Sequence, residues 1–143
     1  MTGDLPYIAG KKTNYDRLHI ISEHLHGIGK VAPQGAAPIT VTAGGGAWTL
    51  GAASATILTT TAISDLHHAV ISDVSANEDY EMIFYADGVE IGAIGFSRSN
   101  NFVNSITVPL MTPQIKEGAV ITAKLMDGSG GATANVKVQY HEY

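Results

Sequence analysis

Near the C-terminus, Ala134, Val136, Val138 and Tyr140 alternate with Thr133, Asn135, Lys137 and Gln139. Successive side chains of an extended chain point to opposite faces, so this stretch has one apolar side and one polar side. The pattern predicts an antiparallel strand with one face in a core and the other in water. Such a strand needs partners beside it and a second layer over its apolar face.

From Pro38 onward the chain supplies them. Ile39-Thr40-Val41-Thr42 alternates and stops at Gly44-Gly45-Gly46. Trp48-Thr49-Leu50 is a short apolar piece before Gly51, and Ala55 to Ala62 is rich in Thr, Ile and Leu. His68 to Val74 reads as a strand centred on Ala69-Val70-Ile71. Tyr80 to Ala86 is a stronger one, with Tyr80, Met82 and Phe84 on one face. Asp87-Gly88 then predicts a tight hairpin turn, because a type I′ turn needs positive φ at both central residues. The returning arm runs to Phe96 or Ser97, with Gly92 and Gly95 marking a bulge or a close approach.

Val103 to Val108 is a further strand, and Pro109 and Pro113 make the intervening Leu110-Met111-Thr112 a loop or an edge. Ala119 to Met126 and Thr133 to Tyr140 read as a last hairpin across Asp127-Gly128-Ser129-Gly130-Gly131. Roughly eight short strands with turn residues between them predict an all-β fold. The expected architecture is an antiparallel β-sandwich, jelly-roll-like, with a barrel as the alternative.

Residues 1–37 differ from this pattern and read as an extended N-terminal leader ahead of a β-sandwich domain at 38–143. The leader holds one short helical signal. Asn14 or Asp16 is a candidate cap, and Leu18, Ile21, Leu25 and Ile28 recur at helical spacing. Gly27 and Gly29 end it, and Pro33, Gly35 and Pro38 mark a linker. So short a helix is marginal alone and is expected to dock on its own domain or on a neighbour. Tyr7, Ile8, Leu18, Ile21 and Leu25 have no obvious place in a sandwich and are the expected partner-binding residues.

Composition narrows the function. The 143 residues carry a formal charge of −5 and no cysteine, and only 15% of them are charged. A typical domain is about a quarter charged, so partners are expected to cover part of the surface. The acidic balance argues against nucleic acid. Residues 1–30 lack the apolar run of a secretory signal, and no stretch reads as a membrane helix. Without cysteine, disulfides, thiolate metal sites and thiol nucleophiles are excluded.

Other catalytic constellations fail on spacing. His19, His24 and His26 surround Glu23 but not as H-E-x-x-H, which sets two histidines four apart on one helix face. His67 and His68 are adjacent, which in a regular strand sends them to opposite faces, and His141 stands alone in the sequence. No Gly-x-Ser-x-Gly elbow occurs. Residues 127–131 are glycine-rich but lack the Lys and helix of a phosphate loop. Asp73, Asn77, Glu78 and Asp79 lack EF-hand spacing. No enzyme, cofactor or metal is therefore expected. Trp48 is read as a core or interface anchor, with a sugar-stacking role as the other possibility.

Four stretches carry a resemblance to small structural proteins of tailed-phage virions. They are residues 71–85 (ISDVSANEDYEMIFY), 89–98 (VEIGAIGFSR), 109–113 (PLMTP) and 130–143 (GGATANVKVQYHEY). The likeness spans about residues 65–143 and includes no catalytic signature. It implies a non-enzymatic β-sandwich virion component that decorates or cements the capsid as a homotrimer. Its partners would be copies of itself and the major capsid protein, with no nucleic acid and no membrane. Its location would be the capsid surface, after synthesis in the host cytoplasm. The alternative is a tail, fibre or baseplate subunit that binds a host glycan at a solvent-facing aromatic tip.

Overall fold

The computed structural model describes residues 27–100 and 104–143. They form nine strands: β1 (Ile28–Ala32), β2 (Ile39–Thr42), β3 (Leu58–Thr59), β4 (Ser64–Ser72), β5 (Asp79–Ala86), β6 (Val89–Ser97), β7 (Ser105–Pro109), β8 (Val120–Asp127) and β9 (Thr133–Glu142). Among the described residues there is no helix. The short leader helix, with Tyr7, Ile8, Leu18, Ile21 and Leu25, lies outside the described residues, as do His19, His24 and His26.

Two antiparallel sheets form a sandwich. The first runs β1–β9–β4–β7, with β2 also on β9, and the second runs β3–β8–β5–β6. The long β9 holds β1 against residues 138–142 and β2 against residues 133–136 on one side. On its other side it holds β4.

The core follows from alternation. Leu66, Ala69 and Ile71 of β4 and Ala134, Val136 and Val138 of β9 face Tyr80, Met82 and Phe84 of β5 and Ile121, Ala123 and Leu125 of β8, all of them buried. Tyr80 and Phe96 stack at 5.1 Å, and the Tyr80 hydroxyl donates to the Ala76 carbonyl, so the ring's polar tip is satisfied. The predicted inward set of the last strand is the observed one.

The β5–β6 hairpin also forms as expected. Asp87 and Gly88 take φ of 49° and 81°, as a type I′ turn requires. The register shifts so that Phe84 pairs with Gly92 and Tyr85 with Glu90, leaving Ile91 as the extra residue beside the flagged glycine. A Cβ at Gly92 would lie 3.1 Å from Leu110 and 3.2 Å from the Met111 carbonyl, so close packing accompanies the bulge. Pro109 ends the edge strand β7, where a missing N–H breaks no inner ladder.

Three expectations are corrected. First, β8 and β9 are not a hairpin. They lie in different sheets, so residues 128–132 arch across the core. Alternation assigns each strand an inner face but is silent on whether two such strands pair side by side or face each other. Second, Ala55 to Ala62 is not a full strand, and only Leu58 and Thr59 pair regularly. Along β8, N–H groups of Trp48, Gly51, Ser54, Ile57 and Thr60 bond the carbonyls of Asp127, Leu125, Ala123, Ile121 and Ala119. Donors recur every third residue and acceptors every second, so each step carries a surplus residue that a two-residue pleat cannot take. Third, residues 28–32, read as leader, are a sheet strand with Ala32 buried.

Val136 is fully buried on β9. Val136→Asp is expected to destabilise the domain by about 4 kcal/mol or more, because an unpaired charge replaces a core methyl pair. Circular dichroism during thermal or urea unfolding measures this.

Candidate functional site

The outer face of the first sheet has an irregularity at His67. Leu66 pairs with Tyr140 and His68 with Gln139, so His67 is the extra residue of a β-bulge on β4. In a regular strand His67 and His68 would diverge. Here their Nδ1 atoms lie 2.6 Å apart, one ring donating and the other accepting. The His67 ring also stacks on His141 of β9, with centroids 4.3 Å apart and planes 20° apart. The expectation that His67 and His68 stay separate, and that His141 stands alone, is therefore corrected. Regular-strand geometry was the wrong premise, and the sequence carries no sign of the bulge.

The contacts continue to the C-terminus. Asp65 receives the His141 ring at 3.1 Å and the Tyr143 hydroxyl at 2.6 Å on its two oxygens. Donation to the anionic Asp65 holds the Tyr143 proton and raises its pKa; partial burial and the charge of Asp65 act in the same direction. The group lies between two open clefts. One, of about 500 Å³, has Leu66, Pro109, Leu110, Met111 and Thr112 opposite Asp65, His67, His141 and Tyr143. The other, of about 610 Å³, is lined by residues 28–31, Gln34 and Gln139 and shares the wall of His67.

Large apolar side chains stand exposed around this end. Met111 is 90% exposed, Ile28 65%, Ile63 49% and Tyr143 40%. Ile28 pairs with Glu142, and the Tyr143 N–H donates to the Ile63 carbonyl at 2.9 Å. Met111 shares the smaller cleft with Tyr143. Gly27, where residues 1–26 join, lies so near that a Cβ there would sit 3.0 Å from the Tyr143 ring. Thus four chain segments bring apolar side chains to the place where the leader joins the sandwich.

This surface offers packing and hydrogen bonds. Among the described residues no three His, Asp or Glu side chains are grouped to hold a metal ion, and no helix is long and apolar enough to cross a membrane. Of the residues expected to bind partners, none lies among the described ones. The residues at this end were missed because they come from positions 28, 63, 65, 67, 111, 141 and 143, which no local pattern connects.

At the opposite end, Trp48 is 48% exposed and has φ of 53°, so it is not a core anchor. Its ring edge and the Glu78 carboxylate meet across Gly128, lying 3.8 Å and 2.9 Å from where a Cβ there would be. Comparison with family models, curated proteins and solved structures yields no match.

Beside the candidate surface, Lys30 donates to Glu142 at 2.6 Å, and Thr61 donates to the other carboxylate oxygen at 2.6 Å. The bond from Lys30, then that from Thr61, lowers the Glu142 pKa below its ordinary 4.5. A depressed carboxylate stabilises the fold above its unfolded pKa, and that contribution is lost as pH falls through the folded pKa. Glu142→Gln is therefore expected to flatten the fall in melting temperature below about pH 4.5, with little change near pH 9 in the slope of stability against pH.

Proposed function

We propose that the chain is a virion structural subunit, a decoration protein that attaches to the capsid surface and assembles as a homotrimer. The observation that carries this reading is the exposed apolar group of Ile28, Ile63, Met111 and Tyr143 beside the junction with residues 1–26. Exposed apolar patches rimmed by polar groups mark interaction surfaces. The sequence of the leader adds Leu18, Ile21 and Leu25, each contributing roughly 1.5–3 kcal/mol if fully buried on a partner.

The finer fold assignment, a jelly roll, belongs to the same proposal. The strand order supports it: β1 and β2 pair with the last strand, β3 pairs with β8, and the five-stranded order β1/β2–β9–β4–β7 and the four-stranded order β3–β8–β5–β6 interleave in sequence. The resemblance over residues 65–143 points the same way. No catalytic group is assigned in this reading.

Co-sedimentation with capsids stripped of this subunit tests attachment. Removing residues 1–26, or the double change Ile63→Asp and Met111→Asp, is expected to leave a folded domain by circular dichroism and weaken attachment at least tenfold. The cut belongs at residue 26, since a cut at 30 removes part of β1. Full-strength attachment by both variants would refute the reading. Sedimentation velocity at micromolar concentration tests the trimer, which a clean monomer both free and on capsids would refute.

The exposure of Trp48 favours a second reading, a tail, fibre or baseplate subunit that binds a host glycan at that tip. Aromatic faces stack on sugar rings, and Glu78 across Gly128 can accept hydroxyl protons. In that case Trp48→Ala abolishes retention on host-cell glycans and leaves capsid attachment intact.

A further inference from the structure

The end opposite the candidate docking surface is tied together by two glycine-rich segments. The Ala43 N–H donates to the Ala132 carbonyl, that of Gly131 to Gly44, and that of Trp48 to Asp127, at 2.8, 2.8 and 2.7 Å. The backbones are crowded. A Cβ at Gly130 would lie 2.5 Å from the Gly45 carbonyl oxygen. One at Gly44 would lie 2.6 Å from that of Thr49 and 2.9 Å from that of Leu50. Only glycine permits this approach, and it fills the knot with main-chain oxygens.

Asp127 ends β8 within this knot. The alternation that turns Ile121, Ala123 and Leu125 inward also turns Asp127 inward, and it is 1% exposed. Its main-chain carbonyl serves Trp48, but among the described residues neither carboxylate oxygen has a hydrogen-bond partner. A buried carboxylate without a donor is strongly disfavoured unless something neutralises it. Among the described residues no Lys, Arg or His side chain hydrogen-bonds it. A second acid, Glu78, approaches Gly128, the next residue along, while its other carboxylate oxygen accepts from the Ser129 hydroxyl. Tyr80, paired with Asp127 across the ladder, has its hydroxyl pKa raised by burial, against the hydrogen bond to Ala76; the charges of Asp127 and Glu78 raise it further and that of Arg98 lowers it.

We propose that Asp127 anchors a binding site for a hard divalent cation of the calcium type, completed by main-chain carbonyls of the Gly44–Leu50 loop and by Glu78. The donors are all oxygen, which suits calcium, whose shell is built from carboxylates and carbonyls. With no imidazole or thiolate among them, they do not suit softer transition metals. The EF-hand spacing absent from residues 73–79 is not required, because the ligands come from three separate segments. The bound cation neutralises Asp127 and clamps the 44–50 loop to the β8–β9 arch.

Calorimetric titration of the chelator-treated full chain with calcium chloride tests this, alongside melting curves in chelator and in calcium. One calcium per chain is expected, with the melting temperature rising roughly 5–10 °C when calcium is about a hundredfold above its Kd. Asp127→Asn, nearly isosteric, is expected to abolish both effects, and Glu78→Gln to weaken binding. No binding heat and equal melting in chelator and calcium would overturn the proposal, whatever the variants do. So would an Asp127→Asn protein that binds calcium as the wild type does.

Discussion

The fold depends on how β9 is shared. It is the last strand, yet it carries β1 and β2 on one side and β4 on the other, and its inner residues Ala134, Val136 and Val138 floor the core. The sheet cannot be completed until the C-terminal residues arrive, and the contacts that follow join residues more than a hundred apart, as Lys30 and Glu142 show. Non-local pairing of this kind carries a loop-closure cost that local contacts avoid. The compensation is area: two inner sheet faces meet over one continuous apolar cluster.

The arch between β8 and β9 shapes the two ends. Because these strands face each other, the residues between them must cross the full thickness of the sandwich, about 10 Å. That crossing meets the Ala43–Gly51 connection at one end of the molecule, where glycines allow the backbones to touch. A hairpin would have placed Asp127 at a solvated turn. The arch buries it instead, which makes its charge a problem the structure must solve.

The other end is shaped by a single extra residue. Without the bulge at His67, β4 would point His67 and His68 to opposite faces, and the stack with His141 would not form. Asp65 and Tyr143 extend this polar group to the C-terminus, and Ile28, Ile63 and Met111 stand around it. A surface of this make-up suits association, since its polar members already satisfy one another while its apolar members have water to shed.

By itself the sequence determined the all-β character, the inner faces of β5 and β9 and the Asp87–Gly88 turn. Each is written in neighbouring residues, as a two-residue period or as a turn needing positive φ. Sequence reasoning missed the bulge at His67, the sheet membership of residues 28–32, the three-to-two ladder along β8 and the arch that separates β8 from β9. These were decided by the tertiary structure, because an alternating strand looks the same whether its partner lies beside it or across the core. Only the packing of the two sheets selects between those arrangements, and with that choice it selects which distant side chains meet.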